Sequence, residues 1–182
     1  MSAITEKIHE FMKNIAANDI EIYNEFSLQH ELGIYLREQF PKFKVQYERN
    51  IKYFNIENTV KHEIDIVMFN AEQKYAIELK FPLNGQYPEQ MYSFVRDIKF
   101  TEQLHEKGFN KAFCLTVVRD KNFYQGNKAD GIYAYFRDNK KIREKIYKPT
   151  GHKDEYISLD GEYSVNWSET ESEHYYIIEI TD

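Results

Sequence analysis

The chain has 182 residues, enough for one domain and cramped for two. Apolar residues make up 42% and charged residues 30%, a balance that suits a soluble protein with a real core. A net charge of −6 argues against a protein that coats nucleic acid by bulk charge, but not against an enzyme that neutralises its own carboxylates with a divalent metal.

Taken in chain order, Ile4, Ile8, Met12 and Ile15 have helical spacing and predict a helix over residues 4–17. Asn18 and Asp19 break it or cap the next. A second helix is expected from about Ile20 to Phe40, with Leu28, Leu32, Tyr35 and Leu36 among its apolar positions, and Pro41 stops it. Phe43, Val45 and Tyr47 alternate as a strand does. Two further strands follow, His62–Phe69 and Lys74–Phe81, joined by the polar turn Asn70-Ala71-Glu72-Gln73. Met91, Phe94, Val95, Ile98 and Leu104 predict a helix over about Glu89–Lys107, ended by Gly108. Residues 111–118 form a continuous apolar run, the pattern of a buried central strand. The single cysteine, Cys114, lies in it and is expected to be a small buried hydrophobe.

Beyond Arg119, the segments Gly131–Arg137, Tyr156–Trp167 and His174–Ile180 are expected to be strands, with Asp160-Gly161 as a turn. The 15 Tyr and 13 Phe are read as aromatic strands and core. No run approaches the roughly 18 apolar residues of a membrane span, and the N-terminus lacks the pattern of a signal peptide. With no cysteine pair, a cytoplasmic protein is expected. The fold class is therefore α/β, a mixed central sheet flanked by helices, in one domain over 1–182. No G-x-G-x-x-G follows a strand, so a dinucleotide fold is not indicated.

The residues that need a chemical reason are Asp65, inside an apolar strand, and Glu78 and Lys80 in the next. With side chains alternating faces, Ile64, Ile66 and Met68 share one face and Asp65 lies on the other. Paired as a hairpin, the two strands bring Asp65 and Glu78 together, with Lys80 one pleat further. Close carboxylates repel, and a hard divalent cation removes the conflict. Mg²⁺ or Mn²⁺ on Asp65, Glu78 and the backbone carbonyl of Leu79 is the expected metal site.

Asp65, a hairpin turn, then Glu78-Leu79-Lys80 resembles the PD-(D/E)XK nuclease superfamily, with its restriction-endonuclease-like fold. That family's core order, helix, three strands, helix, strand, is the order read from residues 20–118, and 119–182 is then a β-rich C-terminal extension. Ile64-Asp65 stands where the family has Pro-Asp. The resemblance implies an acid from the first core helix, with Glu31 preferred as catalytic and Glu25 in reserve. It also points to Gln90 as a substrate contact, with Phe94 where some branches carry Tyr. The activity implied is metal-dependent phosphodiester hydrolysis of nucleic acid, DNA favoured over RNA, by an endonuclease with Asp65, Glu78, Lys80 and Glu31 in the site. A charged Lys80 orients the water and stabilises developing charge. Family analogy adds a homodimer.

Arg137, Lys140, Lys141, Arg143, Lys145, Lys148 and Lys153 form a basic run interleaved with Phe136 and Tyr147. It reads equally as a phosphate-contacting element or as a solvated face, and Arg137, Lys140, Lys141 and Arg143 are substrate-binding candidates on the first reading. The acidic segment after it packs at the sheet edge or mimics nucleic acid against that run. Two other functions compete with the nuclease: a catalytically silent nucleic-acid- or protein-binding module on the same fold, and a structural subunit of an assembly.

Overall fold

The computed structural model describes residues 2–17, 20–152 and 154–181. The expected break at Asn18-Asp19 and the last lysine of the basic run, Lys153, lie outside the described residues. Helix α1 (Ala3–Ala17) buries the stripe Ile4, Ile8, Phe11, Met12 and Ile15. Helix α2 (Glu25–Gln39) begins later than its periodicity suggests, because Asn24 and Ser27 form a reciprocal cap. Ser27 N–H donates to Asn24 Oδ1 (2.8 Å) and Asn24 N–H donates to Ser27 Oγ (3.0 Å), which satisfies two end donors and fixes the first turn.

Strands β1 (Lys44–Asn50), β2 (Glu63–Phe69) and β3 (Lys74–Lys80) form an antiparallel meander. Helix α3 (Tyr87–Glu106) then crosses over, so that β4 (Lys111–Val118) lies parallel to β3. After it come the short helix α4 (Tyr133–Arg137), β5 (Ile142–Tyr147), β6 (Tyr156–Tyr163), β7 (Ser168–Glu169) and β8 (His174–Ile180). The six-stranded sheet has the order β1-β2-β3-β4-β8-β7, and β5 and β6 pair in a separate two-stranded sheet. The fold is thus α/β with a mixed central sheet and helices, as the sequence indicated.

Alternation of side chains divides the core into two layers. Ile66, Met68, Ile77, Leu79, Phe113 and Leu115 pack with α1 and α2. Val67, Ala76, Ala112, Cys114 and Ile178 pack with α3, α4 and the β5–β6 pair. Cys114 is buried, as expected. Gly33 lets α2 approach β1: a Cβ there would meet the Tyr47 ring at 2.2 Å.

Two segments differ from expectation. Residues 133–137 are helical, not extended, and Phe136 packs edge-on to Phe94 of α3 at 5.7 Å while its carbonyl accepts from Trp167 Nε1 (2.8 Å). Here tertiary contacts override the β propensity of a Tyr/Phe-rich stretch. Asp160-Gly161 does not turn; it continues β6, and both its N–H groups donate to the Glu102 carboxylate of α3 (3.0 and 2.8 Å). The basic run contains β5, whose partner is β6. The C-terminal residues do more than extend the core, since β8 pairs with β4 inside the main sheet.

Candidate active site

The β2–β3 ladder is in register from Phe69↔Lys74 to Ile66↔Ile77 and opens beyond that pair. At the open end, side chains take the place of ladder bonds. Leu79 N–H donates to Asp65 Oδ2 (2.7 Å), and Asp65 N–H donates to Glu78 Oε1 (3.3 Å). The Asp65 carbonyl accepts from the Gln29 amide of α2 (2.7 Å), which also reaches the Glu48 carboxylate (2.5 Å). Glu48 holds a left-handed φ of 46°, and the β1–β2 register skips it and Asp65. The strand's alternation breaks here too. Ile64 packs on the α3 side with Val67, not with Ile66 and Met68, correcting the face assigned to it from sequence.

Glu78 has no solvent-exposed side-chain surface, and Asp65 keeps 14% of its own. Burial pushes the Asp65 carboxyl up to about 6, against the pull of Lys61 and the Leu79 N–H. Burial and the neighbouring Asp65 carry Glu78 well above the carboxylate range, with Lys61 opposing. The ammonium of Lys61 hydrogen-bonds Glu78, lies 3.0 Å from Asp97 Oδ1 on α3, and lies 4.0 Å from Asp65. The other Asp97 oxygen is 3.4 Å from Lys80 Nζ. Lys80 also meets Glu25 at the start of α2 (3.4 Å) and donates to the Leu79 carbonyl (2.9 Å). Burial works against the charge of both lysines. Glu78, Asp97 and Asp65 outweigh it at Lys61, and Asp97 and Glu25 outweigh it at Lys80, so both pKa values rise and both lysines stay protonated.

Of the residues expected in the site, Asp65, Glu78, Leu79 and Lys80 are together. Glu31 is not with them. It lies on a surface groove beside His30 and Tyr47, because it is about 200° around the helix from Gln29, the residue that faces Asp65. Glu25, one turn before Gln29 on the same face, stands there instead and accepts from Phe81 N–H (3.1 Å). Gln90 donates to Asn84 (3.1 Å), two turns before Asp97 on α3. Arg137 ties loops together through the carbonyls of Asn122 and Lys128. Lys141 and Arg143 pair with Glu162 (3.7 and 3.0 Å). Of the four basic substrate candidates, Lys140 lines a groove. Lys61 and Asp97 were not singled out from sequence. Asp97 carried a signal: it is an acid between Phe94, Val95 and Ile98 on the apolar face of its helix. Lys61, in a loop, carried none.

The donor types suit a hard cation, because Asp65 and Glu78 are carboxylates, but the pocket of about 30 Å³ beside Asp65 is bounded by Glu25, Gln29, Glu48 and Leu79 and not by Glu78, whose carboxylate is turned to Lys61. Among the described residues, no three acid, histidine or cysteine side chains are already gathered as a cation site. Lys61 is the cation among Glu78, Asp97 and Asp65, and the Leu79 carbonyl, expected as a metal ligand, is engaged by Lys80. Comparisons with protein-family models, with curated proteins and with solved structures gave no match.

Proposed function

We propose that this chain is a metal-dependent nuclease of the PD-(D/E)XK type, with a restriction-endonuclease-like core. The observation that carries the reading is the buried meeting of Asp65, Glu78 and Lys80 where β2 and β3 part, with Glu25 arriving from the preceding helix. Two elevated carboxyls side by side are costly unless a cation joins them. Asp65 and Glu78 would hold Mg²⁺ or Mn²⁺, and such an ion polarises phosphate oxygen and acidifies bound water. Lys80, kept charged by Asp97 and Glu25, cannot serve as a neutral base. It offers a fixed positive charge to a phosphate or to the charge that develops on it. Glu25 positions that ammonium and pins the chain after β3 through Phe81 N–H. DNA is the favoured substrate and a homodimer the favoured assembly, both by family analogy.

One observation favours a second reading, a silent binding module. Lys61 already neutralises the carboxylates, so the cluster can stand as an ion-pair network with no metal. Cleavage decides between them. Plasmid, linear duplex, single strands and RNA are incubated with Mg²⁺, Mn²⁺ or EDTA. The nuclease cuts at least one substrate only with metal. The module cuts none, and its melting temperature does not move with metal.

A further inference from the structure

Away from the acidic cluster, a groove of about 410 Å³ runs between α4 with its preceding loop and β5 with its following loop. Lys128, Lys140, Lys145 and Lys148 line it against a single aspartate, Asp130. In a chain of net charge −6, this is a local reversal of sign. Among the described residues only Lys148 of the four is ion-paired, to Glu155 (2.8 Å). The others sit over tyrosine rings: Lys128 over Tyr133 (5.2 Å), Lys140 over Tyr135 (4.9 Å) and Lys145 over Tyr156 (4.3 Å).

Tyr147 also lines this groove and is 55% exposed, which leaves its ring face open to a ligand. Its cross-strand partner Tyr156 lies 5.6 Å away, ring to ring, and lines a second groove of about 380 Å³. Lys148 and Pro149 border both grooves. The second one is of mixed charge, with Glu89 and Glu155 beside Arg96 and Lys148, and it reaches Val60 and Arg96, the chain neighbours of Lys61 and Asp97.

We propose that the two grooves form one track for single-stranded nucleic acid, leading toward the acidic cluster. The lysines take the phosphates, and Tyr147 is a platform for an unstacked base. Ammoniums spaced between aromatic faces match a strand that alternates phosphate and exposed base. A duplex hides its base faces, and grooves of this volume are the size of small-ligand sites. Only the destination of the track rests on the nuclease reading; binding itself needs neither metal nor cleavage.

The test is fluorescence anisotropy with the full chain in EDTA. Labelled single-stranded DNA, single-stranded RNA and duplex DNA, each about 12 nucleotides long, are titrated at several salt concentrations. Wild type is compared with Tyr147→Ala and with Lys140→Glu/Lys145→Glu, surface changes whose folding is checked by melting temperature. The expected result is single-strand binding at least about tenfold tighter than duplex, weakened about tenfold or more by Tyr147→Ala. The double charge reversal lowers affinity further and flattens the salt dependence by more than about one unit of slope. Equal affinity for duplex, wild-type affinity in both variants, or displacement of the oligonucleotide by polyglutamate at equal charge concentration overturns the track. Metal-dependent cutting with unaltered affinity in the groove variants overturns the track and leaves the nuclease standing. Groove-dependent binding without cutting does the reverse.

Discussion

The ammonium of Lys61 closes on the carboxylate of Glu78, a side chain fully withdrawn from solvent, and the same nitrogen bridges to Asp97 at 3.0 Å. A lysine from the loop before β2 thus takes the position among carboxylates where a divalent ion would be expected. Its removal leaves the buried acids uncompensated. Lys61→Met is therefore expected to lower stability by about 3–5 kcal/mol in EDTA. Mn²⁺ is expected to raise the variant's melting temperature more than that of the wild type, because the tethered competitor is gone. Differential scanning fluorimetry with a metal titration checks both. Wild-type stability in the variant would show that Lys61 does not neutralise the cluster.

Asp65 gives the protein a pH dependence of unusual sign. Its carboxyl titrates near 3.8 when unperturbed and is pushed up to about 6 by burial in the fold. The folded state therefore holds the proton more tightly than the unfolded chain does. Stability from this group is lost as pH rises from about 4 to 6, and the loss is complete above that, about 3 kcal/mol in all. Asp65→Asn keeps an acceptor for Leu79 N–H but no charge. In EDTA it is expected to melt above the wild type at pH 7.5, with the difference closing near pH 4. Melting curves across that range measure it. A variant that melts lower at pH 7.5 would mean that the ionised carboxylate stabilises the fold.

The two helix acids make a clean contrast. Glu25 touches Lys80 and Phe81 N–H, and Glu31 faces a separate surface groove. Glu25→Ala is expected to reduce cleavage about 10²-fold, because it removes one of the two carboxylates that position Lys80 and the acceptor of Phe81 N–H. Glu31→Ala is expected to change neither rate nor stability beyond about 0.5 kcal/mol. Initial rates under saturating metal test the pair, and the opposite ranking would return Glu31 to the site.

Much of this arrangement was legible in the chain because the signals were local. The apolar period of α3, the alternation in β3 and the turn at Asn70–Gln73 are enough to place Glu78 and Lys80 on one face of a hairpin strand. The acid of α2 was not legible, since choosing Glu25 over Glu31 depends on the helix start, which a cap at Asn24 sets, and on which face meets Asp65. Lys61 and Asp97 enter the cluster from elements 36 residues apart, a proximity no local pattern encodes. Residues 133–137 and Asp160-Gly161 misled because their partners, Phe94 and Glu102, both lie on α3. The basic run separated once folded: Arg137 holds carbonyls, Arg143 holds Glu162, and Lys140 with Lys145 is left facing the aromatic groove.

The most direct measurement takes the best-cut substrate and compares wild type, Asp65→Ala and Lys80→Ala in Mg²⁺, with EDTA as control. Metal-dependent cutting by the wild type, reduced about 10³-fold or more in both variants while each remains folded, is the predicted result. Cutting that persists in either variant, or a wild type that neither cuts nor gains thermal stability from metal, contradicts a nuclease centred on Asp65, Glu78 and Lys80.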